Sequence, residues 1–179
     1  MRQLRYAVAM SLDGYIASPT GDYHWIATDP EIDFAAIFAR YDAFVMGRKT
    51  FAAFASGGGG GGAEQKVIVA SRTLRPADHP KVTIVADGID REVKALKAQP
   101  GKDIWLFGGG ELFRSLLDAK LVDVIEVAVI PVLLGGGTPL LPAPAPRVKL
   151  ALVGHRLYPK TGTMSLEYSM KYPRQRRSG

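Results

Sequence analysis

The stretch DIWLFGGGELFRSLLDAKLV (103–122) sets three consecutive glycines between two segments of different periodicity. Residues 103–107 form a short and mostly apolar run, which is typical of a buried strand. Residues 111–122 carry leucine or phenylalanine at positions 112, 113, 116, 117 and 121, and this spacing predicts a helix. The glycines therefore mark a strand-to-helix junction, where backbone N–H groups without a helical partner favour an anion.

The same alternation of short apolar runs and helical patterns extends over most of the chain. Helical patterns cover 29–41, 88–99 and 111–120, and the strand-length runs are 4–10, 43–47, 66–71, 82–87, 103–107, 123–134 and 163–172. Alternating strands and helices predict an α/β fold with several parallel connections. Because no helical pattern follows residue 123, we expect the sheet to end in antiparallel strands. We predict one domain over residues 1–170 and a basic tail over 171–179.

The composition excludes several classes of protein. The 179 residues include no cysteine, which excludes disulfides, thiolate metal sites and cysteine nucleophiles. No apolar run reaches the roughly 18–20 residues of a membrane-spanning helix, so we expect no membrane partner. Four basic residues lie in the tail KYPRQRRSG, and without it the net charge falls from +6 to +2. We therefore predict a cytoplasmic protein that does not bind nucleic acid and holds no metal.

Three predicted strands end in residues that suit phosphate groups. These residues are Gly47, Arg48, Lys49 and Thr50 after one strand, Ser71, Arg72 and Thr73 after the next, and Gly108, Gly109 and Gly110 after a third. Because the carboxyl ends of parallel strands meet at one edge of a sheet, we predict one crevice for a ligand with several phosphates. The six glycines 57–62 lack the Lys-Ser or Lys-Thr pair of a phosphate loop, and we interpret them as a surface loop.

The order of these junctions resembles the dihydrofolate reductase superfamily. The motifs that carry the resemblance are MGRKT (46–50), SRT (71–73) and GGGEL (108–112), and AMSLDGYIA (9–17) is similar to its riboflavin-pathway reductase branch. The resemblance implies a single mixed central sheet flanked by helices, with NADPH as the cofactor. Since dimers are common in that branch, it also implies a possible homodimer, for which the run 123–134 is either a contact or a central core strand.

By motif position, the resemblance assigns roles toward NADPH. The residues that would hold the phosphate-bearing half are Gly47, Arg48, Lys49 and Thr50, and those beside the adenosine 2′-phosphate are Ser71, Arg72 and Thr73. The pyrophosphate would be covered by Gly108, Gly109, Gly110, Glu111 and Leu112. The residues near the nicotinamide would be Ala9, Ile16 and Ala17. Cations suit a 2′-phosphate, whereas NADH would require an acid that accepts the ribose hydroxyls.

A carboxylic acid near the first predicted helix is the candidate catalytic group. In the superfamily such an acid holds the substrate ring and helps its protonation, and by position Glu31 or Asp33 matches it. Asp13, in the SLDG signature, is a further candidate. The alternative interpretation is structural, because TDPE (28–31) is also an ordinary helix start.

The substrate is less specified than the cofactor. His24 and Trp25 are candidate substrate-binding residues. Leu106 and Phe107 stand where riboflavin-pathway reductases often carry a glutamate, and the arginine with which folate enzymes bind the glutamate tail has no clear counterpart. The resemblance favours hydride transfer to a ribosylamino-pyrimidine or another small heterocycle. The alternatives are dihydrofolate reduction and an NADPH-binding module without catalysis.

Overall fold

The computed structural model describes residues 1–56 and 65–172. Its strands are β1 (Leu4–Ser11), β2 (Tyr15–Ala17), β3 (Tyr41–Gly47), β4 (Lys66–Ala70), β5 (Val82–Val85), β6 (Asp103–Gly108), β7 (Val124–Ile130), β8 (Thr138–Pro139), β9 (Lys149–Tyr158) and β10 (Thr163–Lys171). Its α-helices are α1 (Phe34–Ala39), α2 (Arg48–Ser56), α3 (Ile89–Ala98) and α4 (Gly110–Asp118). The periodicity of the sequence therefore located most elements to within a few residues.

The central sheet has eight strands in the order β5-β4-β3-β6-β1-β7-β10-β9. The strands from β5 to β7 pair in parallel, whereas β10 pairs antiparallel with both β7 and β9. Strands β2 and β8 form a separate antiparallel pair. The predicted mixed sheet with antiparallel C-terminal strands is confirmed.

Alternation along β6 shows how the sheet separates two apolar layers. Ile104 and Leu106 are buried in the cluster that contains the apolar face of α4, including Leu116. Trp105 and Phe107 point the other way and pack in the cluster that contains Phe44 and the residues of α1 and α2. The period of two along a strand assigns successive side chains to opposite faces. This second face carries the candidate site described below.

The first helix is shorter than the predicted pattern at 29–41. It begins only after Asp33, whose carboxylate accepts a hydrogen bond from the Ala36 amide as an N-cap. The preceding residues are held in a turn by Asp29, which is fully buried and accepts hydrogen bonds from the Glu31 amide (2.9 Å) and the Thr161 hydroxyl (3.0 Å). Because Asp29 is bound to the β9–β10 hairpin, the chain there cannot continue into the helix.

The apolar run 123–134 is also divided. Strand β7 ends at Ile130, since Pro131 has no N–H to continue the ladder. It lies between β1 and β10, so residues 124–130 form a central strand of the sheet. Strand β9 was not predicted, because its leucines include Leu152 and Leu157, which are more than half exposed and belong to no apolar layer. A homodimer, through the run 123–134 or another surface, stays a prediction.

Two predicted segments lie wholly or mostly outside the described residues: the glycine run 57–62 and, beyond Tyr172, the basic tail. Strand β10 continues through Lys171, and the Tyr172 hydroxyl donates to the Val122 carbonyl (2.8 Å). Within residues 1–56 and 65–172, no helix is long and apolar enough to cross a membrane.

Candidate functional site

A cleft of about 1580 Å³ opens at the carboxyl ends of β1, β3, β4 and β6. Its volume exceeds the roughly 300–1,000 Å³ of a typical small-molecule site, so it has room for two ligands side by side. Eleven of the predicted cofactor residues line it: Ala9, Ile16, Ala17, Gly47, Arg48, Lys49, Thr50, Gly109, Gly110, Glu111 and Leu112. The edge of the sheet at which parallel strands end is where ligands of such folds bind.

Two helix starts converge on one side of this cleft. Helix α2 follows β3 directly at Gly47, and α4 follows β6 directly at Gly109. A Cβ atom built on Gly47 would lie 3.8 Å from both the Gly108 oxygen and the Gly109 nitrogen, so the two junctions are close neighbours. Since each helix start presents unpaired N–H groups, the electrostatic potential there is positive.

Arg48 and Lys49 add full positive charges to this part of the cleft. Both are exposed and line the cleft, and no ion pair joins either of them to another described residue. The only carboxylate among the described lining residues, Glu111, points to Arg114 at 2.6 Å. That ion pair explains how an acid is tolerated beside a predicted phosphate site.

Glycine is required at two points of the cleft wall. A Cβ atom on Gly110 would come within 2.8 Å of the Pro139 oxygen and of the Pro142 ring. At Gly137, which has a φ of +129°, a Cβ atom would lie 2.1 Å from the Ala17 oxygen. These close approaches fix the loop after β7 against β2 and α4.

Asp13 helps to hold the same loop. Its carboxylate accepts hydrogen bonds from the Ser11 hydroxyl (2.6 Å) and from the amides of Leu134 (3.1 Å) and Gly135 (2.7 Å). These donors, the Ser11 hydroxyl first, lower the pKa of Asp13. A general acid at neutral pH needs a raised pKa, so the geometry gives Asp13 a structural role.

The other candidate acids do not line the cleft either. Glu31 faces Arg156 (3.7 Å) and Lys160 (4.0 Å) on the β9–β10 hairpin, and Asp33 caps α1. The Glu31 amide and the Thr161 hydroxyl lower the pKa of buried Asp29. The prediction of a catalytic acid among Glu31, Asp33 and Asp13 is therefore not supported by the geometry.

The predicted 2′-phosphate residues (71–73) and the predicted substrate-binding residues His24 and Trp25 lie outside the cleft wall. Among them, Ser71 is buried and accepts hydrogen bonds from the amides of Thr73 (3.2 Å) and Leu74 (3.1 Å), while Arg72 is exposed and paired with Asp87 at 2.8 Å. Ser71 follows Ala70 and Gly108 precedes Gly109, so both are next to residues that line the cleft without lining it themselves. His24 and Trp25 also do not line it.

An aromatic wall of Phe34, Phe38, Phe54, Trp105 and Phe107 forms the other part of the cleft and was missed from the sequence. The rings of Trp105 and Phe107 stack with centroids 4.2 Å apart, and Phe38 lies 5.2 Å from Trp105. The Trp105 indole donates to the Ala7 carbonyl (2.9 Å), which fixes the ring. Tyr23 and Ile26, the neighbours of His24 and Trp25, complete this part.

The sequence and the fold are similar to those of known proteins. The uncharacterized protein YyaP of Bacillus subtilis (strain 168) is 31% identical, over 93% of this chain and 94% of its own length. A solved structure from Shewanella sp. PV-4, whose name links it to riboflavin biosynthesis, superposes with a TM-score of 0.80 at 26% identity, covering 96% of this chain and all of that one (100%).

A longer protein shares the fold. The Thermotoga maritima diaminohydroxyphosphoribosylaminopyrimidine deaminase/5-amino-6-(5-phosphoribosylamino)uracil reductase superposes with a TM-score of 0.68 at 17% identity. The match covers 95% of this chain and 57% of that one. The RibD C-terminal domain family, a family of NAD(P)H-dependent reductases, matches residues 2–162. With its sheet order, its paired glycine junctions and this match over most of its length, the chain belongs to the RibD C-terminal domain family.

Proposed function

We propose that this protein is an NADPH-dependent reductase of a small heterocycle. The observation that carries the proposal is the convergence of two glycine-lined helix starts with Arg48 and Lys49 on one cleft. The residues fit the cofactor, because Gly47 and Gly109 leave backbone N–H groups open to a pyrophosphate and the cations offset its charge. Ala9, Ile16 and Ala17 leave an uncharged surface for the nicotinamide.

The chemistry divides between cofactor and protein. NADPH, when bound, supplies a hydride from its nicotinamide ring. The chain contributes binding at the helix starts, orientation by the tight Gly137–Ala17 contact, and exclusion of water by the aromatic wall. A ribosylamino-pyrimidine, the type of compound in the name of the Thermotoga protein, is one substrate to test.

A second candidate function is NADPH binding without reduction. It is favoured by one observation: among the described residues that line the cleft, the single carboxylate is Glu111, which is paired with Arg114. No described carboxylic acid is thus positioned to protonate a substrate. Dihydrofolate reduction is disfavoured by the same observation, since an acid near the first helix holds the substrate ring in the enzymes that this chain resembles.

The two tryptophans allow a direct test of cofactor binding. Trp105 lines the cleft, whereas the Trp25 indole lies outside it and donates to the Asp22 carbonyl (3.2 Å). We expect NADPH to quench the tryptophan fluorescence of the wild type and of Trp25→Phe with the same dissociation constant, and NADH to do so only at much higher concentration. Loss of NADPH absorbance at 340 nm with a pyrimidine substrate would then separate reduction from binding alone. If NADPH leaves the Trp25→Phe fluorescence unchanged up to millimolar concentration, the reductase proposal fails.

Arg72 tests the preference for NADPH. We expect Arg72→Ala to weaken NADPH binding about five- to tenfold and NADH binding hardly at all, because only NADPH carries the 2′-phosphate. The effect stays below that of a buried contact since Arg72 is 80% exposed and already paired with Asp87. Arg75→Ala is the matched control, because Arg75 is equally exposed and paired with Asp78. Equal losses for both cofactors would remove Arg72 from the 2′-phosphate site.

A further inference from the structure

The two parts of the cleft differ in charge. Among the described residues that line it, the charged ones are Arg48, Lys49 and Glu111, all in the first turns of α2 and α4. The part between α1 and β6 is lined by uncharged side chains, namely Tyr23, Ile26, Phe34, Phe38, Trp105 and Phe107. If a dinucleotide takes the charged part, the aromatic part is left for the second ligand.

The aromatic part has the surface that a flat ring would cover. Phe34 and Phe38 are four residues apart on α1, so both project from one face of the helix into the cleft. Phe34 is 48% exposed and Tyr23 is 47% exposed, which leaves large apolar surfaces in contact with water. The stacked rings of Trp105 and Phe107 pack against Phe38, whose ring centroid lies 5.2 Å from that of Trp105. Offset stacking and edge contacts against such rings favour a planar aromatic ligand.

A phosphate or carboxylate on the second ligand would need a cation that this part lacks. Cations at the end of α1, on β1 and on the β9–β10 hairpin already have acidic partners. Arg5 and Arg40 are bound to Glu126, and Arg156 and Lys160 flank Glu31. An anion placed there would compete with a resident carboxylate or lose its hydration without compensation.

The two segments outside the described residues differ in charge. Residues 57–64, GGGGGGAE, contain no lysine or arginine. The last pair between β10 and β7 is Ser169 with Val124, at the amino end of β7, whereas the cleft opens at the carboxyl ends of the strands. The basic tail therefore begins at the opposite end of the sheet.

We infer that the substrate is a planar, uncharged ring compound, which carries neither phosphate nor carboxylate. The inference rests on the proposed reductase function and narrows its substrate class. Unphosphorylated ring compounds are therefore expected to bind more tightly than the phosphorylated ribosylamino-pyrimidine. In this respect the chain differs from enzymes that bind their substrate through an acidic group or a tail carboxylate.

Two pairs of probes differ mainly in charge and test the inference. Riboflavin and FMN share one ring system, and only FMN carries a phosphate. Hydroxymethylpterin and pterin-6-carboxylic acid share another, and only the second carries a carboxylate. Isothermal titration calorimetry with the full chain, with and without saturating NADP⁺, gives the dissociation constant of each probe. We expect the uncharged member of each pair to bind at least about tenfold more tightly.

The outcomes separate this inference from the proposed function. Equal or tighter binding of FMN and pterin-6-carboxylic acid overturns the inference, and so does the failure of both uncharged probes to bind. Failure of NADP⁺ to bind overturns the proposed function instead, and the titrations without NADP⁺ still decide the charge preference.

Phe34 provides a second readout. We expect Phe34→Ala to weaken the uncharged probes about fivefold or more while NADP⁺ affinity stays unchanged, because Phe34 lies on α1 and not at the helix starts. Half-exposed Phe34 can be truncated with little effect on folding. Leu157→Ala, at an equally exposed apolar residue on β9, is the control. Unchanged probe affinity in Phe34→Ala would contradict the assignment of the aromatic part to the substrate.

Discussion

Replacing both cations of the cleft, as Arg48→Ala/Lys49→Ala, is expected to weaken NADPH binding about 100-fold. Each charge-assisted contact to a phosphate is worth at least about 1.5 kcal/mol, so two contacts contribute about 3 kcal/mol. Neither residue is paired with another described residue, so the loss is not offset by the release of an internal partner. Fluorescence titration in Trp25→Phe, whose remaining tryptophan Trp105 lines the cleft, measures the change.

The controls distinguish a local contact from the general charge of the protein. Lys81→Ala/Lys94→Ala removes the same charge from exposed residues, at the start of β5 and on α3. We expect this control to bind NADPH within about twofold of the wild type, because screening weakens interactions beyond about 10 Å at 0.1 M salt. Arg48→Lys should give an intermediate affinity, since a lysine keeps the charge and loses the planar donor pair. Equal losses in both double variants would show that the helix starts are not a specific phosphate site.

Arg5→Ala is expected to lower the free energy of unfolding by about 3 kcal/mol. The Arg5 side chain is 7% exposed and donates to both Glu126 and Glu167. These two glutamates are direct partners in the β7–β10 register. Like charges opposite each other destabilise a sheet, so the guanidinium between them neutralises a repulsion at the centre of the fold.

Denaturant unfolding of two further variants identifies the cause of the loss. Arg75→Ala, which breaks the exposed pair with Asp78, should change stability by no more than about 0.5 kcal/mol. Arg5→Met/Glu126→Gln/Glu167→Gln should recover most of the loss, because it removes the uncompensated carboxylates together with the arginine. If the triple variant is as unstable as Arg5→Ala, the loss comes from side-chain packing and not from charge.

The sequence by itself determined the two helix starts at the cleft. Each junction there is local: a short, mostly apolar run, a glycine, and a helix with apolar residues three and four apart. Gly47 with α2 and Gly109 with α4 are such junctions, and their place at strand ends follows from parallel pairing alone. The family resemblance of these junctions also predicted the fold, and the structure and the comparisons confirm that prediction.

The tertiary structure decided the aromatic part of the cleft. Thr161 binds Asp29 from 132 residues away, and this contact shortens α1 and leaves its acids outside the cleft. Trp105 and Phe107 had the alternation of a buried strand, but which face of β6 is covered and which is open depends on where α1 and α2 pack. Local periodicity specifies the two faces of an element, while only the packing of distant elements specifies which face is left for a ligand.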